Sequence, residues 1–137
     1  MTRDEPRRTR ITDYLIVIRD ECQVKRHATT GAVARCIGVS NGTASSKLKQ
    51  LADLGLIEWE PYTGATLSAA GLASCQTAYR RQQLLELFLQ RLLPLSLEDI
   101  DQQAWAMEIT LTDRCLAAID DYLNHPTLDL RSNPILA

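Results

Sequence analysis

Histidine is nearly absent from this chain, with only His27 and His125 among 137 residues. There is also no His-Glu-x-x-His, no Gly-x-Ser-x-Gly and no phosphate-cradling glycine loop, so the usual hydrolytic and nucleotide-binding constellations are missing. An enzyme is not expected. No apolar run approaches the roughly 20 residues that span a bilayer. The charged start MTRDEPRRTR has no apolar segment behind it to act as a secretory signal. These absences predict a cytoplasmic protein without membrane contact. The four cysteines, Cys22, Cys36, Cys75 and Cys115, include no Cys-x-x-Cys pair. In a reducing compartment they read as small core residues, and nothing in the spacing favours a disulfide or a redox sensor.

A coat of basic surface is lacking too, since the formal net charge is −2. The balance is uneven, however. Residues 1–70 hold ten Lys and Arg against eight Asp and Glu, whereas residues 71–137 hold five against nine. If one half approaches phosphate, it is the first.

That half contains GAVARCIGVSNGTASSKLKQLADLGLIEWEPYTGATLSAAG, from Gly31 to Gly71. It reads as a helix, a turn at Gly38-Val39-Ser40, a second helix capped by Ser40, and a two-stranded hairpin around Pro-Tyr-Thr-Gly. Ala44, Leu48 and Leu51 form a stripe that buries the second helix, and Val33, Ala34 and Ile37 do the same for the first. The other face presents short hydrogen-bonding groups and cations, suited to base edges and phosphates. Asn41, Thr43, Ser46 and Lys47 are the candidates for base edges. Ser40, Lys49, Tyr62 and Thr63 are the candidates for the backbone, with Arg7 and Arg8 in an N-terminal arm. The predicted class is mainly α: a winged helix-turn-helix with a small two-stranded wing, plus a second helical domain.

Elsewhere, Ile11, Tyr14, Leu15, Ile18 and Cys22 predict an amphipathic first helix from Arg10 to about Cys22, with Thr12 as a candidate cap. QVKRHATT reads as a polar connection, with His27 exposed in it. A long helix is expected from Ser68 to about Leu93, at 1.5 Å per residue, and its second half is apolar on many faces. Two shorter helices follow, Leu97 to about Thr110 and Thr112 to about Leu123, and then an extended tail carrying His125. Expected domains are 1–71, reading DNA, and 72–137, a leucine-rich helical domain on which a homodimer is built.

Read end to end, this layout resembles the metalloregulators of the diphtheria-toxin-repressor and manganese-transport-regulator family. Thr12-Asp13-Tyr14-Leu15 is similar to the family's "EDYL", and Ala34–Ser40 to "AERLGVS". Lys49–Ile57 is similar to "KKLEEKGLV", and Glu60–Gly64 with Leu67–Gly71 to "EPYKG" and "LTEKG". Arg80–Leu89 is similar to "RRHRLLERFL", and Arg131–Ile135 to "HGNPIP". The resemblance implies a homodimeric repressor that binds palindromic DNA when Mn(II) or Fe(II) fills sites between the first helix and the dimerisation helices.

Carried over position by position, those sites are depleted. Asp13 and Glu108 match family carboxylates, but the other ligand positions hold Ile16, Gln82, Trp105 and Ile109. At a second site Glu86 is kept and Asp101 replaces a histidine. Mn(II) and Fe(II) need about six oxygen or nitrogen donors, and isoleucine and tryptophan offer no lone pair. Ile16, Gln82, Trp105 and Ile109 are therefore expected to fill the volume a hydrated cation would need, and no metal is favoured. The alternative is a metal-responsive repressor with a carboxylate site rebuilt from Asp13, Glu86, Asp101 and Glu108. The family's base-facing glutamine is Ser46, so operator sequence does not carry over. A third reading, a protein-interaction module with little DNA affinity, draws on Glu58 and Glu60 in the wing.

Overall fold

The computed structural model describes residues 10–136. Its elements run α1 (Ile11–Lys25), α2 (Thr30–Ile37), α3 (Asn41–Asp53), β1 (Ile57–Glu60), β2 (Gly64–Leu67), α4 (Ala69–Leu92), α5 (Leu97–Glu108) and α6 (Asp113–Tyr122). The chain divides into two compact units at Cys75–Gln76, one helical turn past Gly71, and α4 runs through the division. No helix among the described residues is long and apolar enough to cross a membrane.

The first unit is a three-helix cluster closed by the wing. Tyr14, Leu15 and Ile18 of α1, Val33, Ala34 and Ile37 of α2, and Ala44, Leu48 and Leu51 of α3 share one core with Ile57, Ala65 and Cys75. Each fully buried leucine contributes about 1.5–3 kcal/mol over its exposed state. Burial pushes the Cys75 thiol up to about 11, so it is inert packing. The turn between α2 and α3 is made by Gly38, whose φ of 88° is left-handed and whose N–H donates to the Ala34 carbonyl at 2.8 Å. Ser40 then caps α3, and its Oγ accepts the Thr43 N–H at 3.1 Å.

The wing pairs β1 and β2 antiparallel, with Ile57 opposite Leu67 and Glu60 opposite Gly64. The loop before α2 adds a bridge that was not legible as strand: Ala28 and Ala65 exchange N–H···O bonds of 2.9 and 2.8 Å. This explains Gly64, where a Cβ would stand 2.7 Å from the Ala28 carbonyl oxygen. At the wing's exit, Ser68 Oγ donates to the Gly55 carbonyl at 2.6 Å and accepts the Gly71 N–H at 3.1 Å. That locks the start of α4 to the end of α3.

The second unit buries Leu84, Leu85 and Leu89 of α4 against Ile100 and Ala104 of α5 and Leu116 and Ile119 of α6. Ser96 and Thr112 cap α5 and α6, accepting the Asp99 and Cys115 N–H groups at 3.1 Å each. Phe88 meets Tyr122 edge-on at 5.7 Å between ring centroids, and the Arg91 guanidinium lies 5.9 Å from the Tyr122 ring centroid.

Several expectations are corrected. Thr12 does not cap α1, because the helix starts at Ile11 with Arg10 as the capping residue. Gln23, Val24 and Lys25 carry a solvated last turn past Cys22, and the helix stops where Arg26 turns to a φ of 75°. His27 is half-buried against the wing, not exposed. Cys36 and Cys115 lie on outward helical faces and are exposed, so only Cys75 is a fully buried core thiol and Cys22 a half-buried one. The tail is not extended. It folds into a loop pinned at its base by a Leu128–Pro134 bridge and turned by Asp129, whose Oδ1 accepts the Arg131 and Asn133 N–H groups at 2.8 and 2.9 Å.

Candidate nucleic-acid interface and carboxylate cluster

Because α3 buries Ala44, Leu48 and Leu51, helical phase leaves Thr43, Ser46 and Lys49 exposed away from the core, and Asn41 is exposed as the first residue of the helix. Ser40 stands at the head of that face, with its Oγ 3.0 Å from Thr43 Oγ1. Lys47 is placed differently from the expected base-edge group. It directly precedes buried Leu48, so it lies on the flank, half-buried, with Nζ 5.9 Å from the Tyr14 ring centroid. Tyr62 and Thr63 form the wing tip. Tyr62 is 106% exposed and holds a φ of 74°. A left-handed, fully solvated tyrosine costs roughly 1–2 kcal/mol and gains nothing from packing. Thr29, Thr30 and Ser45 face Trp59, Pro61 and Tyr62 across a cleft of about 430 Å³ beside the wing. Exposed Glu58 and Glu60 make the β1 edge acidic, and on the exposed face of α3 the lysine is Lys49. Arg7 and Arg8 lie outside the described residues.

In the second unit, a cleft of about 260 Å³ is lined by Tyr79, Gln82, Gln83, Glu86, Asp101, Asp129 and Arg131. Glu86 is 2% exposed. Its Oε1 accepts from Arg131 Nη1 at 2.7 Å and its Oε2 from Gln82 Nε2 at 3.2 Å. The same Gln82 amide nitrogen lies 2.8 Å from Asp101 Oδ1, and Arg131 Nη2 lies 3.5 Å from that oxygen. Burial pushes the Glu86 carboxyl up to about 7, with Asp101 adding to the rise and Arg131 opposing it. One helical step away, the buried Gln83 amide donates to Asp129 Oδ2 and to the Pro134 carbonyl, both at 2.9 Å, and accepts the Leu136 N–H at 3.1 Å. Gln83 and Glu86, three positions apart on α4, thus hold the C-terminal loop.

Of the candidate metal residues, Asp13 is engaged at its own helix start. Its carboxylate accepts the Arg10 N–H at 3.2 Å, and Arg10 Nη2 lies 3.4 Å from it. Arg80 and Arg81 pair with Asp120 and Asp113. Ile16 packs on the first unit's core, and Trp105 is half-buried. Ile109, expected to fill volume, does not: α5 ends at Glu108 and Ile109 is 54% exposed. Gln82, expected to fill volume, lines the cleft in the second unit and turns its NH₂ toward Glu86 and Asp101. Its amide nitrogen stands between the two carboxyls, 2.8 Å from Asp101 Oδ1 and 3.2 Å from Glu86 Oε2. Among the described residues, no group of three or more His, Cys, Asp or Glu is arranged to hold a metal ion.

A helix-turn-helix with a two-stranded wing, its polar helix face exposed, defines a winged-helix DNA-binding regulator. The family described as "Iron dependent repressor, metal binding and dimerisation domain" matches residues 68–137. The chain is 35% identical over 116 residues to the transcriptional regulator MntR of Escherichia coli, covering 85% of this chain and 74% of that protein. A manganese-dependent transcriptional repressor in complex with manganese superposes with a TM-score of 0.79 at 32% identity, over 92% of this chain and 58% of that one. A hypothetical protein from Sulfolobus solfataricus shares the fold, with a TM-score of 0.80 at 13% identity over 92% of this chain and 96% of its own. The chain belongs to the iron-dependent repressor family, the diphtheria-toxin-repressor and manganese-transport-regulator group, and is a DNA-binding transcription regulator.

Of the residues that organise the second unit's cluster, Gln83 and Arg131 fell inside stretches of family resemblance without marking a role, and Asp129 carried no signal. Their partners lie 45 to 53 positions away in sequence.

Proposed function

We propose that the chain acts in the cytoplasm as a homodimeric repressor that binds a palindromic operator without Mn(II) or Fe(II) at its family's metal positions. The observation that carries the DNA-binding part is the exposed row Ser40, Asn41, Thr43, Ser46 and Lys49 beside a wing tip held out by Tyr62. Helix α3 enters the major groove by its first turns, and Lys47 and Lys49 supply charge toward phosphate. The wing tip reaches the adjacent backbone. Arg7 and Arg8 extend the contact from the N-terminal arm. The metal-independent part is supported by a donor set in which Gln82 turns its N–H groups, and Arg131 its charge, toward the carboxylates.

The test is binding to a duplex from the protein's own promoter across a salt series. Each phosphate contact adds about −0.9 to the slope of log K against log salt. Several contacts should make affinity fall steeply between 50 and 200 mM salt, on the order of 10³-fold for about six contacts. Absence of duplex binding at low salt would favour an interaction module, the reading that Glu58 and Glu60 support. The likeness to a manganese-bound repressor favours a second reading, in which Asp13, Glu86, Asp101 and Glu108 rebuild a metal site. A chelator that abolishes operator binding would establish that one.

A further inference from the structure

We propose that Arg131 is a tethered cation: its guanidinium takes the place of a bound metal among Glu86, Asp101 and Gln82, clamps the C-terminal loop onto α4, and leaves a divalent-cation site when removed. Three observations carry this. The guanidinium contacts both carboxylates, Glu86 Oε1 at 2.7 Å and Asp101 Oδ1 at 3.5 Å. Those carboxylates stand close enough that one amide nitrogen, Gln82 Nε2, reaches both. Both carboxylates line an open cleft of about 260 Å³, which already has room for a hydrated ion beside the guanidinium and gains more when it is removed.

The loop geometry explains why an arginine reaches this point. Asp129 Oδ1 takes the N–H groups of Arg131 and Asn133, and Gln83 grips Asp129, Pro134 and Leu136. The loop is therefore set in register on α4, and Arg131 is aimed at the carboxylate one turn beyond Gln82. A metal bound from solution neutralises such carboxylates only while the metal is available. A covalently carried guanidinium neutralises them always, which turns a conditional brace into a permanent one. With its planar fork it also serves two carboxylates at once, which lysine does less well.

This inference rests on the metal-independent reading above, and the two fail separately. The experiment compares wild type, Arg131→Ala, Glu86→Gln and the double variant by thermal unfolding, and titrates each with MnCl₂ followed by the electron paramagnetic resonance of free Mn(II). Arg131→Ala should lower Tm by about 5 °C. In the Glu86→Gln background the same substitution should change Tm by less than half as much, because the charge it served is gone. Mn(II) should bind Arg131→Ala with a Kd at least about tenfold below that of wild type, and should restore its Tm. The double variant should show neither the binding nor the restoration. Equal Tm losses in both backgrounds, or equal Mn(II) affinity in wild type and Arg131→Ala, would overturn the proposal. Mn(II)-dependent operator binding by wild type would instead overturn the reading beneath it, and would leave the Arg131–Glu86 cycle to be judged on Tm alone. If Arg131→Ala does not fold, Arg131→Met in place of alanine keeps the stem and removes only the charge.

Discussion

The Arg131 guanidinium lies 2.7 Å from Glu86 Oε1, a carboxylate that is 2% exposed. A buried carboxylate held this way cannot offer the same oxygen to a metal without giving up its partner. The second unit is therefore braced by its own sequence, and the grip of the tail on α4 becomes a measurable source of stability.

Gln83 is the mechanical centre of that grip. Its side chain makes three hydrogen bonds to the C-terminal loop while buried in the second unit. Gln83→Ala should cost about 2–3 kcal/mol, because it leaves Asp129 Oδ2, the Pro134 carbonyl and the Leu136 N–H without the partner they share. Denaturant unfolding gives the loss, and hydrogen exchange should show the Leu136 amide losing protection first.

The same loop sets a pH dependence. Burial pushes the Asp129 carboxyl up, but hydrogen bonds from Gln83 and from the Asn133 and Arg131 amides, with the Arg131 charge, outweigh it and hold it below its ordinary 3.8. A depressed folded pKa stabilises the native state above the unfolded value and loses that contribution as pH falls through the folded one. Asp129→Asn should therefore be less stable than wild type by about 1–2 kcal/mol at pH 7. The gap should close only below pH 3.8. Urea unfolding at several pH values checks this.

Tyr62 separates stability from binding. Its positive φ is paid for without burial, so Tyr62→Gly should stabilise the fold by about 1 kcal/mol. If the ring and hydroxyl touch DNA backbone, the same variant should bind operator about fivefold more weakly, the loss of roughly 1 kcal/mol. Tm and Kd moving in opposite senses would mark Tyr62 as a contact residue. A stabilised variant with unchanged Kd would remove it from the interface.

Much of the first unit was legible because its signals are local. The 3–4 spacing through Tyr14–Ile18, Val33–Ile37 and Ala44–Leu51 fixes which helical faces are buried, and Gly38 with Ser40 fixes the turn. Lys47 shows the limit of that legibility: its residue type suits DNA, but its phase beside Leu48 draws it toward Tyr14. The second unit's helices were readable from leucines and caps, whereas its polar cluster was not. Whether Ile109 fills a cavity depends on where α5 stops, and whether Glu86 is free depends on a loop 45 residues on. Neither is encoded in spacing along the chain.

The most direct test is the affinity of the purified protein for a duplex from its own promoter, measured at fixed salt with a strong chelator and again with added Mn(II) or Fe(II). The account predicts the same Kd in all three conditions, because Gln82 and Arg131 already occupy the positions where a metal would act. A Kd lowered about tenfold or more by metal, a coupling of roughly 1.4 kcal/mol, would contradict it.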